Sequence, residues 1–206
     1  IRVMQLAVDR ETLEYDQEKI RYQFEDVKPD LVIMSHASNV IGLISPVEAI
    51  ATIAKQYGTV TVVDMAQTAG LVDLNVGLES IDFAVFAGHK TLMGPTGISG
   101  FVINTAYKLP PVLFGGTGYD SANQDMPDSL PERYEMGTMN TVGVAGLNAA
   151  LKWLFTQGID KVRAEEEKKR ERLLQLLGQY HFLQIVGNVD GGEYVGIVSC
   201  LMEGIS

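Results

Sequence analysis

With 206 residues, 46% of them hydrophobic and 20% charged, the chain has ordinary globular composition and length enough for one large core or one and a half domains. A net charge of −10 argues against a broad surface for nucleic acid or anionic membrane, and a single cysteine, Cys200, excludes an intrachain disulfide framework and fits a reducing, cytoplasmic compartment. No apolar run reaches the length of a membrane span, and no basic leader opens a chain that begins at Ile1 and ends as a strand finishes, so an internal piece of a larger protein is expected.

Residues 16–27, DQEKIRYQFEDV, have helical spacing, and PDLVIMSH at 29–36 predicts a buried strand entered through a proline turn. SPVEAIATIAKQYG, 45–58, predicts a second helix: Ser45 as N-cap, Pro46 at the first position, Glu48 completing a capping box and Gly58 as C-cap. Strands follow in TVTVVDMAQ (59–67), SIDFAVFAG (80–88) and TGISGFVIN (96–104). Strands alternating with a helix predict an α/β fold whose sheet is mostly parallel and covered on both faces. Residues 105–140, rich in Gly, Pro, Asp and Ser, predict a long loop of the functional or mobile kind. Two helices are expected next, at 141–158 and 159–180, the second with a charged outer face that i,i+4 pairs would lace. Strands are then expected in HFLQIVG and YVGIVSCLM. The change of pattern near residue 150 predicts a domain boundary, with units at 1–145 and 146–206.

Ligands in open α/β sheets gather at the carboxyl ends of strands. Asn39, Asp64 with Gln67, and the pair His89–Lys90 all fall where a buried strand gives out, and the spacing from Asp64 to Lys90 makes their strands neighbours or near neighbours. The glycines around Lys90 do not form a nucleotide loop. A Walker A motif fails because His89 separates Gly88 from Lys90, and G-x-G-x-x-G fails because Gly94, Gly97 and Gly100 are spaced three apart. His36, His89 and His181 lack metal-ligand spacing. A lysine at the mouth of such a sheet, with a carboxylate on a nearby strand end, suits pyridoxal phosphate. Lysine can hold that aldehyde as an imine because desolvation and positive neighbours make its amine neutral. An acidic residue keeps the ring nitrogen protonated, so the ring acts as an electron sink.

VVDMAQTAG, FAGHKTLMGPTGISG and YEMGTMNT together resemble the class V aminotransferase family, most closely its cysteine desulfurase and selenocysteine lyase branch; MSHASNVIGLISPVEAIATIAKQYG resembles the segment that precedes the aspartate strand there. The resemblance runs through nearly all of the chain in order. It implies a fold-type I, aspartate-aminotransferase-like architecture: the second half of a cofactor-binding large domain over 1–145, then linking helices and the beginning of a small α+β C-terminal domain over 146–206. It implies that Lys90 carries pyridoxal 5'-phosphate and shuttles a proton. Asp64 would pair with the pyridine nitrogen, Gln67 would bond the ring oxygen, and His89 would contact the phosphate. Asn39 would face the substrate carboxylate or the ring hydroxyl. Thr138 would reach the phosphate held by a neighbouring subunit, which implies a homodimer. The implied reaction takes sulfur from cysteine, or selenium from selenocysteine, to leave alanine, with a sulfur-acceptor protein as a possible partner. One departure is Ala87, where the branch usually has a hydroxyl residue that helps hold the phosphate. The branch's phosphate-binding helix and ring-stacking aromatic group would precede Ile1, and its substrate-binding arginine and persulfide-forming cysteine would follow Ser206.

Each residue also has a plainer reading. Lys90 can be a solvated turn lysine, Asp64 a helix N-cap, Gln67 and Asn39 loop-satisfying groups, and His89 structural. His36 is expected to be a hydrogen-bonded core histidine and His181 a surface-packing one. Cys200, between alternating apolar neighbours, is expected to be a buried strand thiol made inert by desolvation. Two rival functions share the fold: a class V aminotransferase acting on an amino-acid/keto-acid pair, and a non-catalytic scaffold, to which Ala87 lends support.

Overall fold

A computed structural model describes residues 1–118, 120, 122–187 and 191–204. Two residues of the 105–140 loop, Tyr119 and Ser121, lie outside this set, as do Asn188, Val189, Asp190, Ile205 and Ser206. Helix α1 (Gln17–Val27) begins where Asp16, its N-cap, accepts a hydrogen bond from the Lys19 amide at 3.0 Å. Strands β1 (Leu31–Ser35), β2 (Val60–Asp64), β3 (Phe83–Ala87) and β4 (Ser99–Ile103) form one sheet in that order. The first three are parallel, and β4 returns antiparallel to β3. Helix α2 (Val47–Lys55) crosses from β1 to β2.

Register sorts the side chains into two faces. Val32, Met34, Val63 and Ala84 share the face on which Ile20 and Phe24 of α1 and Val47, Ile50, Ala51, Ile53 and Ala54 of α2 pack into the main core. Helix α3 (Thr141–Gln157) closes on the same side, where Leu147, Leu151 and Leu154 pack with Met65, Ala69, Phe86 and Leu92. The expectation of cover on both faces therefore fails for these residues. On the other face Leu31 is 50% and Ile33 66% exposed, and the loop ending in the 3₁₀ turn Glu132–Tyr134 lies over β4, with the Tyr134 ring centroid 5.7 Å from that of Phe101. A strand apolar on both sides records that both sides are to be buried, but the partner of this face lies outside the local sequence.

The capping box expected at α2 does not form. Pro46 occupies the N-cap position with no side-chain bond, and Glu48 accepts from Asn75 N at 3.4 Å instead. The Ser45 amide is already committed to the His36 carbonyl at 2.8 Å, so its backbone follows the return of a hairpin rather than the entry of a helix. At the far end the helix stops earlier than expected: Gln56 is the C-cap, and Gly58, with φ 71°, turns the chain two residues later.

The amino ends of β2 and β3 are tied by a buried carboxylate that sequence reasoning passed over. Asp82 Oδ2 accepts from Thr61 N at 2.9 Å and from the Thr61 hydroxyl at 3.3 Å, and Asp82 N donates back to Thr61 Oγ1 at 3.0 Å. Lys55 Nζ stands 3.5 Å from Oδ1. Beyond α3, α4 (Ile159–Leu177) carries one pair at the expected i,i+4 spacing, Arg163–Glu167 at 2.7 Å, and one at i,i+3, Lys168–Glu165 at 3.7 Å. Two short strands, β5 (Leu183–Ile185) and β6 (Cys200–Met202), pair antiparallel as a separate ribbon. Among the described residues no helix is long and apolar enough to cross a membrane.

Candidate functional site

Because β1, β2 and β3 run parallel, their carboxyl ends fall on one edge of the sheet: Ser35, Asp64 and Ala87. Asp64 is itself one of these ends, and the segments that follow carry four more of the six candidate residues, Asn39, Gln67, His89 and Lys90. Asp64 pairs in register with Ser35 on one side and Val85 on the other, so its half-buried side chain leaves the sheet on the sparsely covered face, two positions before Ala87. Its Oδ1 accepts from the Ala66 amide at 2.8 Å, and among the described residues Oδ2 meets no donor. This bond to a turn two residues on is the short-range cap-like bond foreseen for Asp64, but no helix follows it. Gln67, half-buried, lies in the same turn, which Thr68 N and Ala69 N close on the Met65 carbonyl, both at 2.9 Å.

Lys90 lies in a closed turn after β3. Its amide approaches the Ala87 carbonyl at 3.5 Å, Met93 N donates to the Lys90 carbonyl at 2.9 Å, and Gly94 N donates to the Gly88 carbonyl at 2.7 Å. The glycines exist for close backbone contact. A Cβ on Gly88 would lie 2.8 Å from the Ile98 carbonyl oxygen; one on Gly94 would lie 2.8 Å from both the Gly88 carbonyl oxygen and Leu147 Cδ1. The turn is thus pinned between β4's approach and α3, while His89 and Lys90 remain exposed at its tip. Gly94→Ala is expected to cost about 1–3 kcal/mol of stability, because overpacking against backbone forces the turn to shift; chemical denaturation would show it as a lowered midpoint.

Thr138 is exposed, two residues ahead of Asn140, the N-cap of α3. Asn140 Oδ1 accepts from Gly143 N at 3.0 Å, and its Nδ2 donates to the Gly97 carbonyl at 3.2 Å, which docks the Thr138 loop beside the end of the lysine loop. Asn39 is exposed in a hairpin over 37–44, closed by Ser38 N to the Leu43 carbonyl and Gly42 N to the Ser38 carbonyl, both 2.9 Å. A distant segment clasps this hairpin: Ile44 N donates to the Glu193 carbonyl at 2.8 Å, Val195 N donates to the Gly42 carbonyl at 2.9 Å, and the Ser199 hydroxyl donates to the Val40 carbonyl. That segment is fastened in turn to α4, where Glu166 accepts from Gly196 N and the Arg170 guanidinium stacks 4.2 Å over the Tyr194 ring.

His36 is buried, as its core reading foresees, with its Nδ1 2.9 Å from Thr68 Oγ1. Burial pushes the imidazole below its ordinary value, partly opposed by Glu48, so the ring is neutral at neutral pH. His181 is exposed against the Phe182 ring, the surface packing expected of it. Cys200 departs from expectation. It does lie on a strand, but that strand is one of two in a ribbon with open faces, and the thiol is exposed. Period-2 alternation buries a side chain only when a layer packs on that face, and here none of the described residues supplies one.

The residues present fit pyridoxal phosphate on two observations: an exposed amine at the tip of a turn pinned through its backbone, and a carboxylate with one oxygen still open at the neighbouring strand end. Ala87, half-buried at the end of β3, supplies no side-chain donor.

Comparison with known proteins agrees with this fold. The chain is 36% identical over 173 residues to a probable cysteine desulfurase of Pyrococcus abyssi, covering 82% of this chain and 43% of that protein. It is 34% identical over 167 residues to a cysteine desulfurase of Escherichia coli O157:H7, covering 79% and 41%. Among solved structures, the apo cysteine desulfurase of Thermococcus onnurineus NA1 superposes with a TM-score of 0.80 at 30% identity over 98% of this chain and 50% of that one. A cysteine desulfurase from Escherichia coli does so with a TM-score of 0.81 at 26% identity and the same coverage. The chain therefore spans less than half the length of these curated relatives and half that of the solved structures. The family described as Aminotransferase class-V, whose members depend on pyridoxal phosphate, matches residues 1–206, and the chain belongs to it.

Proposed function

We propose that the full-length protein is a cysteine desulfurase that uses pyridoxal phosphate to take sulfur from cysteine, or selenium from selenocysteine, and leave alanine. The observation that carries the reading is the juxtaposition of the Lys90 turn with the Asp64–Gln67 turn at one edge of a parallel sheet, in a chain whose relatives bear that name. Bound there, pyridoxal phosphate supplies an electron sink for charge that develops at the substrate Cα.

In this reading the Lys90 amine would hold the cofactor covalently when no substrate is bound and, when free, would take the Cα proton and later return one. Asp64 keeps a ring nitrogen cationic beside it, through the attraction of opposite charges in a partly dry site. Gln67 bonds the ring oxygen, His89 contacts the phosphate, and Asn39 faces the substrate carboxylate or the ring hydroxyl. A cysteine beyond residues 1–206 attacks the substrate sulfur; an S–S bond forms as the C–S bond breaks, and the electron pair left on carbon takes up a proton to give alanine. Thr138 would serve the phosphate of a second copy, which makes the working unit a homodimer, and the persulfide sulfur would pass to an acceptor protein in the cytoplasm. Residues 1–145 would then belong to the large cofactor-binding domain and 146–206 to the linking helices and the opening of the small one.

The test is to supply full-length protein with pyridoxal phosphate, cysteine and a thiol reductant. Equal amounts of alanine and sulfide, with no keto acid needed, support the proposal; turnover that requires a keto acid assigns the protein to transamination. Cys200→Ser is expected to retain the wild-type rate within about twofold, the range of an ordinary surface substitution, and a loss of persulfide formation in that variant would make Cys200 the acceptor thiol.

A further inference from the structure

Three separate bonds meet at His36. Its amide donates to the Asp64 carbonyl at 2.8 Å, extending the β1–β2 ladder one residue past Ser35. Its carbonyl accepts from Ser45 N at 2.8 Å, closing the base of the hairpin that carries Asn39. Its ring Nδ1 lies 2.9 Å from the hydroxyl of Thr68, which in turn sits 3.4 Å from the Met65 carbonyl inside the Asp64–Gln67 turn. His36 is 4% and Thr68 0% exposed, so water cannot replace either partner. Thr68 N also donates to the Met65 carbonyl at 2.9 Å, so the backbone of this turn and the ring contact share one anchor. Met65 N donates to the Val85 carbonyl of β3 at 2.8 Å and Ala69 N to the Met65 carbonyl at 2.9 Å, so the His36–Thr68 contact adds a buried side-chain tie to a turn otherwise held through its backbone and the Asp64 carboxylate.

We infer that His36 and Thr68 form a positioning pair that sets the Asp64–Gln67 turn, and the base of the Asn39 hairpin, for cofactor binding. The inference rests on the proposed function only in that Asp64 and Gln67 hold the cofactor. Neither member of the pair touches the reacting atoms. Their effect passes through the turn: when the buried bond is removed, the turn gains alternative conformations that the cofactor must select against.

The experiment measures the dissociation constant of pyridoxal phosphate for full-length apoprotein by fluorescence titration, alongside the thermal midpoint of the cofactor-free form. Thr68→Val keeps shape and removes the hydroxyl; Thr68→Ser keeps the hydroxyl; His36→Gln removes the ring. Thr68→Val and His36→Gln are each expected to weaken cofactor binding about tenfold, Thr68→Ser to stay within about twofold, and the double variant to be no weaker than either single, since a buried unpaired group accounts for roughly that factor and one bond is lost only once. A structural role alone would lower the thermal midpoint and leave the dissociation constant in place, and that result overturns the inference. Equal losses in Thr68→Ser and Thr68→Val overturn it as well. If His36→Gln fails to fold, the two Thr68 variants decide the matter alone. Wild-type protein that takes up no cofactor overturns the functional reading and this inference together, whereas wild-type and Thr68→Val proteins that bind equally well overturn the inference only.

Discussion

Lys90→Ala is expected to remove turnover by about 10²–10⁴-fold through loss of the proton-transferring amine alone, and further through loss of the covalent hold on the cofactor. Lys55, the lysine that pairs with Asp82, cannot take over. It belongs to the opposite edge, at the amino end of β3, and a strand's length separates the two. Lys90→Arg should not rescue, because a guanidinium stays protonated near neutrality and cannot act as a neutral amine nucleophile. Borohydride reduction of the loaded full-length enzyme, followed by peptide mapping, should put the label on Lys90. A label on any other residue, or full activity in Lys90→Ala, would end the assignment. The Gly88 and Gly94 close contacts add a corollary. Because the turn is pinned on its backbone rather than through the Lys90 side chain, Lys90→Ala should fold with a nearly unchanged denaturation midpoint, so the loss can be read as chemistry.

Asp64→Asn should lower kcat on the order of 10²–10³-fold, the effect of removing one preorganised electrostatic group from a site. Asparagine preserves the shape and an oxygen for the Ala66 amide, which Asp64 accepts at 2.8 Å, but it carries no charge to keep a ring nitrogen cationic. Asp64→Ala should lose as much activity and in addition about 1 kcal/mol of stability, because the Ala66 amide then has no partner in a half-buried turn. Asp64→Glu should restore part of the activity of Asp64→Asn by returning the charge at a longer reach. Wild-type kcat in Asp64→Asn would mean that the carboxylate serves only the turn.

The candidate site was legible in sequence because its residues follow strands. A buried strand is a run of β-branched and apolar residues that must end in something polar, and in a parallel sheet all such ends share one edge. Asp64, Gln67, His89 and Lys90 could therefore be named from position alone, and their segments do share that edge. His36 was read as a core histidine, yet its partner Thr68 carried no signal, since a threonine in a turn pairs with whatever the tertiary fold brings near. Asp82 was missed for a similar reason. A carboxylate at the start of an apolar strand looks like a solvated boundary residue until Thr61 of the neighbouring strand is placed beside it. Ser45 was misread because a local cap motif competes with long-range demand, and the Ser45 amide is already taken by His36.

Sequence by itself determined the order and rough extent of most strands and helices, and that a lysine and an acid stand at two strand ends, because hydrophobic period and turn chemistry act over a few residues. The strand expected in YVGIVSCLM forms only at Cys200–Met202. Tertiary structure alone decided that β4 runs antiparallel, that α1, α2 and α3 all cover one face, that the Asn39 hairpin is clasped by residues 193–199, and that Cys200 is exposed. Periodicity tells which side of a strand wants burial but not which distant segment supplies it. That choice is made by contacts between residues as far apart as Val40 and Ser199, and no local pattern encodes them.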